Sequence, residues 1–137
     1  MATDLENIQR LLDRFKRPIP PGDKYQTRLV EEFELILNQR FTDYFIQICD
    51  IIDLTTDLTH MTRGSAGSSL VCYLLGITDV DPIEWSIPVA RFMNPFRDDL
   101  PDVDIDFEHW RQTEVMERIF KKWPGMTARL SNYVTYK

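Results

Sequence analysis

The chain has 137 residues, 43% of them hydrophobic and 28% charged, with a formal net charge of −6. That suffices for one domain with a real core, and the acidity excludes a surface given over to phosphate contacts, which needs clustered Lys and Arg. No apolar run spans a bilayer, and no secretory signal pattern opens the chain.

Residues 4–16 predict a first amphipathic helix, with Leu5, Ile8, Leu11, Leu12 and Phe15 on one stripe. Thr3 or Asp4 can cap it, and Lys16 and Arg17 suit its negative C-terminal end. Residues 18–22, Pro-Ile-Pro-Pro-Gly, stop the helix and form a stiff linker. A second helix is expected over 23–38, burying Tyr25, Leu29, Phe33, Ile36 and Leu37. Residues 44–54 are rich in β-branched side chains but also fit a helix buried on two sides; a strand start turning into helix is the expectation. Cys49 and Cys72 sit in apolar surroundings. They lack zinc-ligand spacing to His60 or His109, and read as reduced buried thiols of a cytoplasmic protein.

Residues 62–69, Thr-Arg-Gly-Ser-Ala-Gly-Ser-Ser, open an apolar helix over 70–77. A glycine- and serine-rich turn before a helix is a natural anion site, because the first N–H groups of the helix lack partners and the dipole adds positive charge. Glycine permits close approach of a phosphate, and Arg63 could clamp it. The plainer reading is a flexible loop with a serine N-cap, since standard P-loop spacing is absent. Gly76 ends the helix, 79–85 is a proline-containing turn, 89–93 is a short strand candidate and Asn94-Pro95 a turn.

Residues 98–107 read Asp-Asp-Leu-Pro-Asp-Val-Asp-Ile-Asp-Phe. On a strand, Val103, Ile105 and Phe107 face a core, and Asp102, Asp104 and Asp106 line the other face. Such a row suits Mg²⁺ or Mn²⁺, hard cations that take oxygen ligands. It also suits an edge strand charged against aggregation. Residues 108–122 predict a third clear helix with Val115, Met116, Ile119 and Phe120 inward, broken by Pro124-Gly125. Residues 130–136 read as a final strand.

Several of these motifs, in this order, resemble the palm of C-family bacterial replicative DNA polymerases, the DNA polymerase III alpha subunit type. They are Arg63-Gly64-Ser65-Ala66, Ser69-Leu70-Val71, residues 75–82 (Leu-Gly-Ile-Thr-Asp-Val-Asp-Pro), residues 91–95 (Arg-Phe-Met-Asn-Pro) and residues 101–107. The resemblance covers roughly 25–136. It implies an α/β (α+β) fold, a small mixed sheet flanked by helices in a polymerase-beta-like nucleotidyltransferase palm. The chain then divides into an N-terminal helix and Pro-rich linker at 1–22, outside the resemblance, and a partial palm at 23–137.

By the same resemblance, Asp104 and Asp106 bind the catalytic metals (Mg²⁺ or Mn²⁺). Asp102 matches a structural or outer-shell acidic position that also counts as a metal candidate. Gly64 and Ser65, with Arg63, contact the triphosphate of a deoxynucleoside triphosphate, and Arg91 and Arg97 match basic positions near the site. The implied reaction is attack of a primer 3′ hydroxyl on the α-phosphate with loss of pyrophosphate. Thr62 and Ser68 stand where the family usually has glycine, adding bulk beside the phosphate position, and Phe96 replaces a usual glutamate. The family's third carboxylate comes from a later strand, so the two-metal site is incomplete here. The expectation is a palm segment, inactive alone, that meets primer-template DNA through the remaining polymerase segments in a bacterial or phage-encoded cytoplasmic system. The alternatives are a compact stand-alone nucleotidyltransferase and a non-catalytic interaction module derived from a palm. A third carboxylate on a strand facing Asp104 would favour the compact enzyme, but the acidic residues after Asp106 are Glu108, Glu114 and Glu117.

Overall fold

A computed structural model of the chain describes residues 3–96 and 99–125. Helix α1 spans Asp4–Asp13, α2 Asp23–Asn38, α3 Thr42–Leu54, α4 Leu70–Leu74 and α5 Gln112–Lys122. Strand β1, His60–Arg63, pairs antiparallel with β2, Asp104–Phe107. Short 3-10 turns occupy Gly64–Ser68, Val89–Arg91 and His109–Arg111. Helices set apart from a small antiparallel sheet make the chain α+β, the class expected.

Helix α1 opens with a reciprocal capping box: Glu6 N–H donates to Thr3 Oγ1, and Thr3 N–H to the Glu6 carboxylate. It ends at Asp13 rather than residue 16, because the backbone N–H groups of Lys16 and Arg17 leave the helix and donate to Leu74 O at 2.7 and 3.2 Å. The Arg17 guanidinium lies 4.2 Å over the Tyr73 ring and donates to Thr78 O. The proline stretch is therefore pinned at its start to the end of α4.

Leu11 is fully buried in the common core, whereas Leu5 and Leu12 of the expected stripe face solvent. Asn7, also fully buried, donates to Thr42 Oγ1 and to the Asp43 carboxylate, and Arg14 pairs with Asp50 and Asp53. These contacts lock α1 onto α3, so the first helix shares the core of the chain that follows.

Residues 42–54 form one helix, without the strand start expected from their β-branched content. The reason is spacing: Phe45, Ile48, Cys49 and Ile52 recur at i, i+3, i+4 and i+7 and are all buried, with Ile46 buried on the flank. Full burial of Phe45 or Leu11 contributes about 1.5–3 kcal/mol each. Residues 89–93 are likewise not a strand. The N–H groups of Phe92 and Met93 both turn back to Val89 O, while Phe92 and Met93 enter the core.

Helix α4 is shorter than the expected 70–77 and ends in a left-handed Gly76, φ +78°. A Cβ there would lie 2.9 Å from Lys16 Cδ, so this close crossing requires glycine. The helix expected over 108–122 begins instead with the 3-10 turn His109–Arg111, and of its inward residues only Val115 is fully buried. The final strand expected over 130–136 lies outside the described residues. Cys49 and Cys72 are buried free thiols, both pushed up by burial, Cys49 to about 11.

Candidate active site

The two informative stretches of sequence meet in the β1–β2 pair. Register sets Arg63 opposite Asp104, Thr62 opposite Ile105 and Met61 opposite Asp106. Directly opposite residues share a face, so Met61, Arg63, Asp104 and Asp106 lie on one side and Thr62 and Ile105 on the other. Ile105 and Val103 pack against the core. The first face is open: Met61 is 66% exposed. The Arg63 guanidinium reaches diagonally to the Asp106 carboxylate, whereas Asp104 has no ion pair among the described residues. Immediately after β1 the chain enters the Gly64–Ser68 turn at a left-handed Gly64, φ +82°, whose missing Cβ would sit 3.6 Å from Asp104 Oδ2. Bare backbone and a carboxylate thus lie side by side.

What holds this turn is a pair of side chains that the sequence analysis did not single out. Glu32 of α2 is fully buried and accepts from Ser69 Oγ at 2.7 Å, Leu70 N–H at 2.7 Å, Val71 N–H at 3.1 Å and Arg28 Nε at 2.9 Å. Burial pushes its carboxyl up, against these donors, which favour the ionised form. Ser69 Oγ accepts from Cys72 N–H. The first N–H groups of α4 are therefore all occupied from within, which corrects the expectation that they await an anion. Arg28 donates at 2.7 Å to both Ser68 O and Ile87 O. The signal for Glu32 was its position on the apolar stripe of α2, between Leu29 and Ile36.

The remaining predicted residues scatter around this centre. Asp102 is exposed and precedes the paired strand. Arg91 is exposed at the end of the Val89–Arg91 turn, which packs against the Gly64–Ser68 turn. Arg97 lies outside the described residues. The Ser65 hydroxyl makes no hydrogen bond among the described residues. Thr62 and Ser68 direct their extra bulk away from the open face: the Thr62 hydroxyl donates to Ile77 O, and Ser68 is 4% exposed. Phe96 projects into solvent. Among the described residues, no group of three or more His, Cys, Asp or Glu side chains is gathered closely enough to hold a metal ion. The carboxylates available on the open face are Asp104 and Asp106.

The acidic strand thus lies against the glycine-serine turn in an α+β frame. The profile of the bacterial DNA polymerase III alpha NTPase domain matches residues 5–137, and the chain belongs to that family. The match takes in α1, which the motifs alone had left outside. An error-prone DNA polymerase of Cutibacterium acnes is 36% identical over 139 residues, covering 98% of this chain and 12% of its own. A DNA polymerase III subunit alpha of Staphylococcus aureus is 40% identical over 117 residues, 83% of this chain and 11% of its own. Error-prone DNA polymerase 1 of Rhizobium meliloti is 34% identical over 142 residues, 96% of this chain and 12% of its own. The chain thus spans about an eighth of the length of these relatives.

Proposed function

We propose that this chain contributes a triphosphate-binding turn and two metal-holding carboxylates, in a polymerase-beta-like palm, to template-directed DNA synthesis. The observation that carries the reading is the contact between the two motifs. The left-handed Gly64 that opens the glycine-serine turn lies against Asp104, with Asp106 on the same strand face. A deoxynucleoside triphosphate needs its phosphates held by backbone and cations together, and this juxtaposition offers both.

The donor set suits Mg²⁺ or Mn²⁺. Mg²⁺ is usually held by one or two carboxylates together with water and substrate phosphate oxygens, which matches Asp104 and Asp106 beside a phosphate turn. Bound divalent ions supply charge neutralisation and polarisation of the phosphate oxygens. The chain's own residues do the rest: Gly64 and Ser65 hold the phosphates against the turn, and Arg63 shifts from Asp106 to a phosphate oxygen. Arg91, exposed at the end of the Val89–Arg91 turn, and Arg97, by the family resemblance, add positive charge near the phosphates.

With two carboxylates on the open face, the chain depends on further polymerase segments for a third ligand and for grip on primer-template DNA. The same reading places it in the bacterial cytoplasm, as a chromosomal or phage-encoded part of replication. The test is primer extension by the purified 137-residue protein with Mg²⁺ or Mn²⁺. No extension is expected alone, since removing members of a catalytic unit costs several orders of magnitude. Extension abolished by Asp104→Asn would establish a compact stand-alone enzyme instead.

A further inference from the structure

We propose that the buried Arg28–Glu32 pair of α2 positions the triphosphate-binding turn against the carboxylate strand. This rests on the nucleotide reading above and adds two residues to it.

Ser69 Oγ caps only Cys72 N–H, and Glu32 completes the cap by accepting from the buried Leu70 and Val71 N–H groups. An ion pair between a fully buried Glu32 and a largely buried Arg28 is weak evidence for stability, because desolvation offsets much of its attraction. What this pair adds is reach. Glu32 grips Ser69, Leu70 and Val71, and Arg28 grips Ser68 O. The last residue of the turn, Ser68, and the three residues that follow it into α4 are thereby held. Through Ile87 O, Arg28 also holds the segment leading into the Val89–Arg91 turn, which packs against the same glycine-serine turn.

The upstream end is fixed independently, by the pairing of Arg63 with Asp104 in the sheet. Within the turn Ala66 packs into the core and Ser68 is buried, whereas Gly64 and Gly67 bring no side chain to fix the part that borders Asp104. Sites that must hold a ligand to about half an ångström need such a supporting layer. The Arg28–Glu32 pair adds to that layer at the downstream end of the turn.

The test compares Glu32→Gln, Arg28→Lys and Ile36→Val in the full chain. Gln keeps the shape of Glu32 but replaces one acceptor with a donor facing N–H groups. Lys keeps the charge of Arg28 but loses the fork that reaches two carbonyls. Ile36→Val loosens the core of the same helix without touching the turn. Binding of a fluorescent deoxynucleoside triphosphate with Mn²⁺ is measured at a temperature where circular dichroism shows each variant folded.

Glu32→Gln and Arg28→Lys should weaken binding about tenfold, the lower end of what outer-layer partners of a bound ion command, while Ile36→Val binds as wild type. Wild-type affinity in both charge variants would overturn the inference and leave the nucleotide reading standing. If Glu32→Gln does not fold, Arg28→Lys decides alone. If the wild type binds no triphosphate, the nucleotide reading falls and native-state amide exchange decides. Faster exchange at residues 64–68 in the charge variants than in Ile36→Val upholds the positioning role; equal exchange overturns it.

Discussion

Gly64 combines two constraints. Its φ of +82° suits glycine, and its Cβ position borders Asp104 Oδ2. Gly64→Ala should cost about 1–2 kcal/mol of stability from the left-handed backbone alone, read as a lowered melting temperature. It should also weaken triphosphate binding, because the new methyl stands between turn and carboxylate. Arg63 gives a prediction of opposite sign for the metal. Its guanidinium now occupies Asp106, so Arg63→Ala should tighten Mn²⁺ binding, measured by electron paramagnetic resonance titration, while loosening the triphosphate. Unchanged Mn²⁺ affinity would mean that the ion and Arg63 do not compete.

The sequence carried Gly64, Ser65, Asp104 and Asp106 openly, because two-residue alternation and a glycine-serine run are local patterns. It did not carry the ion pair of Asp106 with Arg63, which depends on the register that sets Arg63 diagonally across from it. Glu32 was hidden for the opposite reason. An Arg28–Glu32 pair four residues apart looks like ordinary surface charge, and its burial depends on α4 arriving from 38 residues away.

Among the elements, α1, α2 and α5 were legible from their periodic apolar faces. Helix α3 was obscured because β-branched content outweighed spacing in the reading, and tertiary burial on two sides decided for helix. The 89–93 segment was a short apolar run of the kind periodicity cannot resolve. The joint between α1 and α4 depends on Gly76. Gly76→Ala should destabilise by about 1–2 kcal/mol from its left-handed φ, and hydrogen exchange should show the Lys16 and Arg17 amides released from Leu74.

Helix α5 is tied to the end of α3 by Arg118, which donates to Leu54 O and to both carboxylate oxygens of Asp57. That contact holds the Asp57 carboxyl down at about 2. A lowered folded pKa means the contribution is full above the unfolded value of about 3.9 and is lost as pH falls through about 2. Amides of α5 should lose protection over that acid range, and Asp57→Asn should remove the dependence.

At the scale of the whole molecule, a single core runs from Leu11 through α2, α3 and α4 to Met93, and the candidate site lies on the sheet at its edge. The open sheet face carries Asp104 and Asp106, and the chain spans about an eighth of the length of its relatives. No helix among the described residues is long and apolar enough to cross a membrane.

Asp104 and Asp106 are proposed to hold a divalent ion on the open face beside Gly64. Thermal melting with increasing Mn²⁺ tests it most directly. An ion that binds only the folded chain stabilises it by about 2.7 kcal/mol at a hundredfold excess over its dissociation constant. The wild type should therefore melt higher as Mn²⁺ is added, and further still with a deoxynucleoside triphosphate present. Asp104→Asn should show no such rise while, without metal, melting no lower than wild type, since among the described residues Asp104 has no ion pair to lose. A wild-type melting temperature indifferent to Mn²⁺, or a full rise retained by Asp104→Asn, would contradict the account.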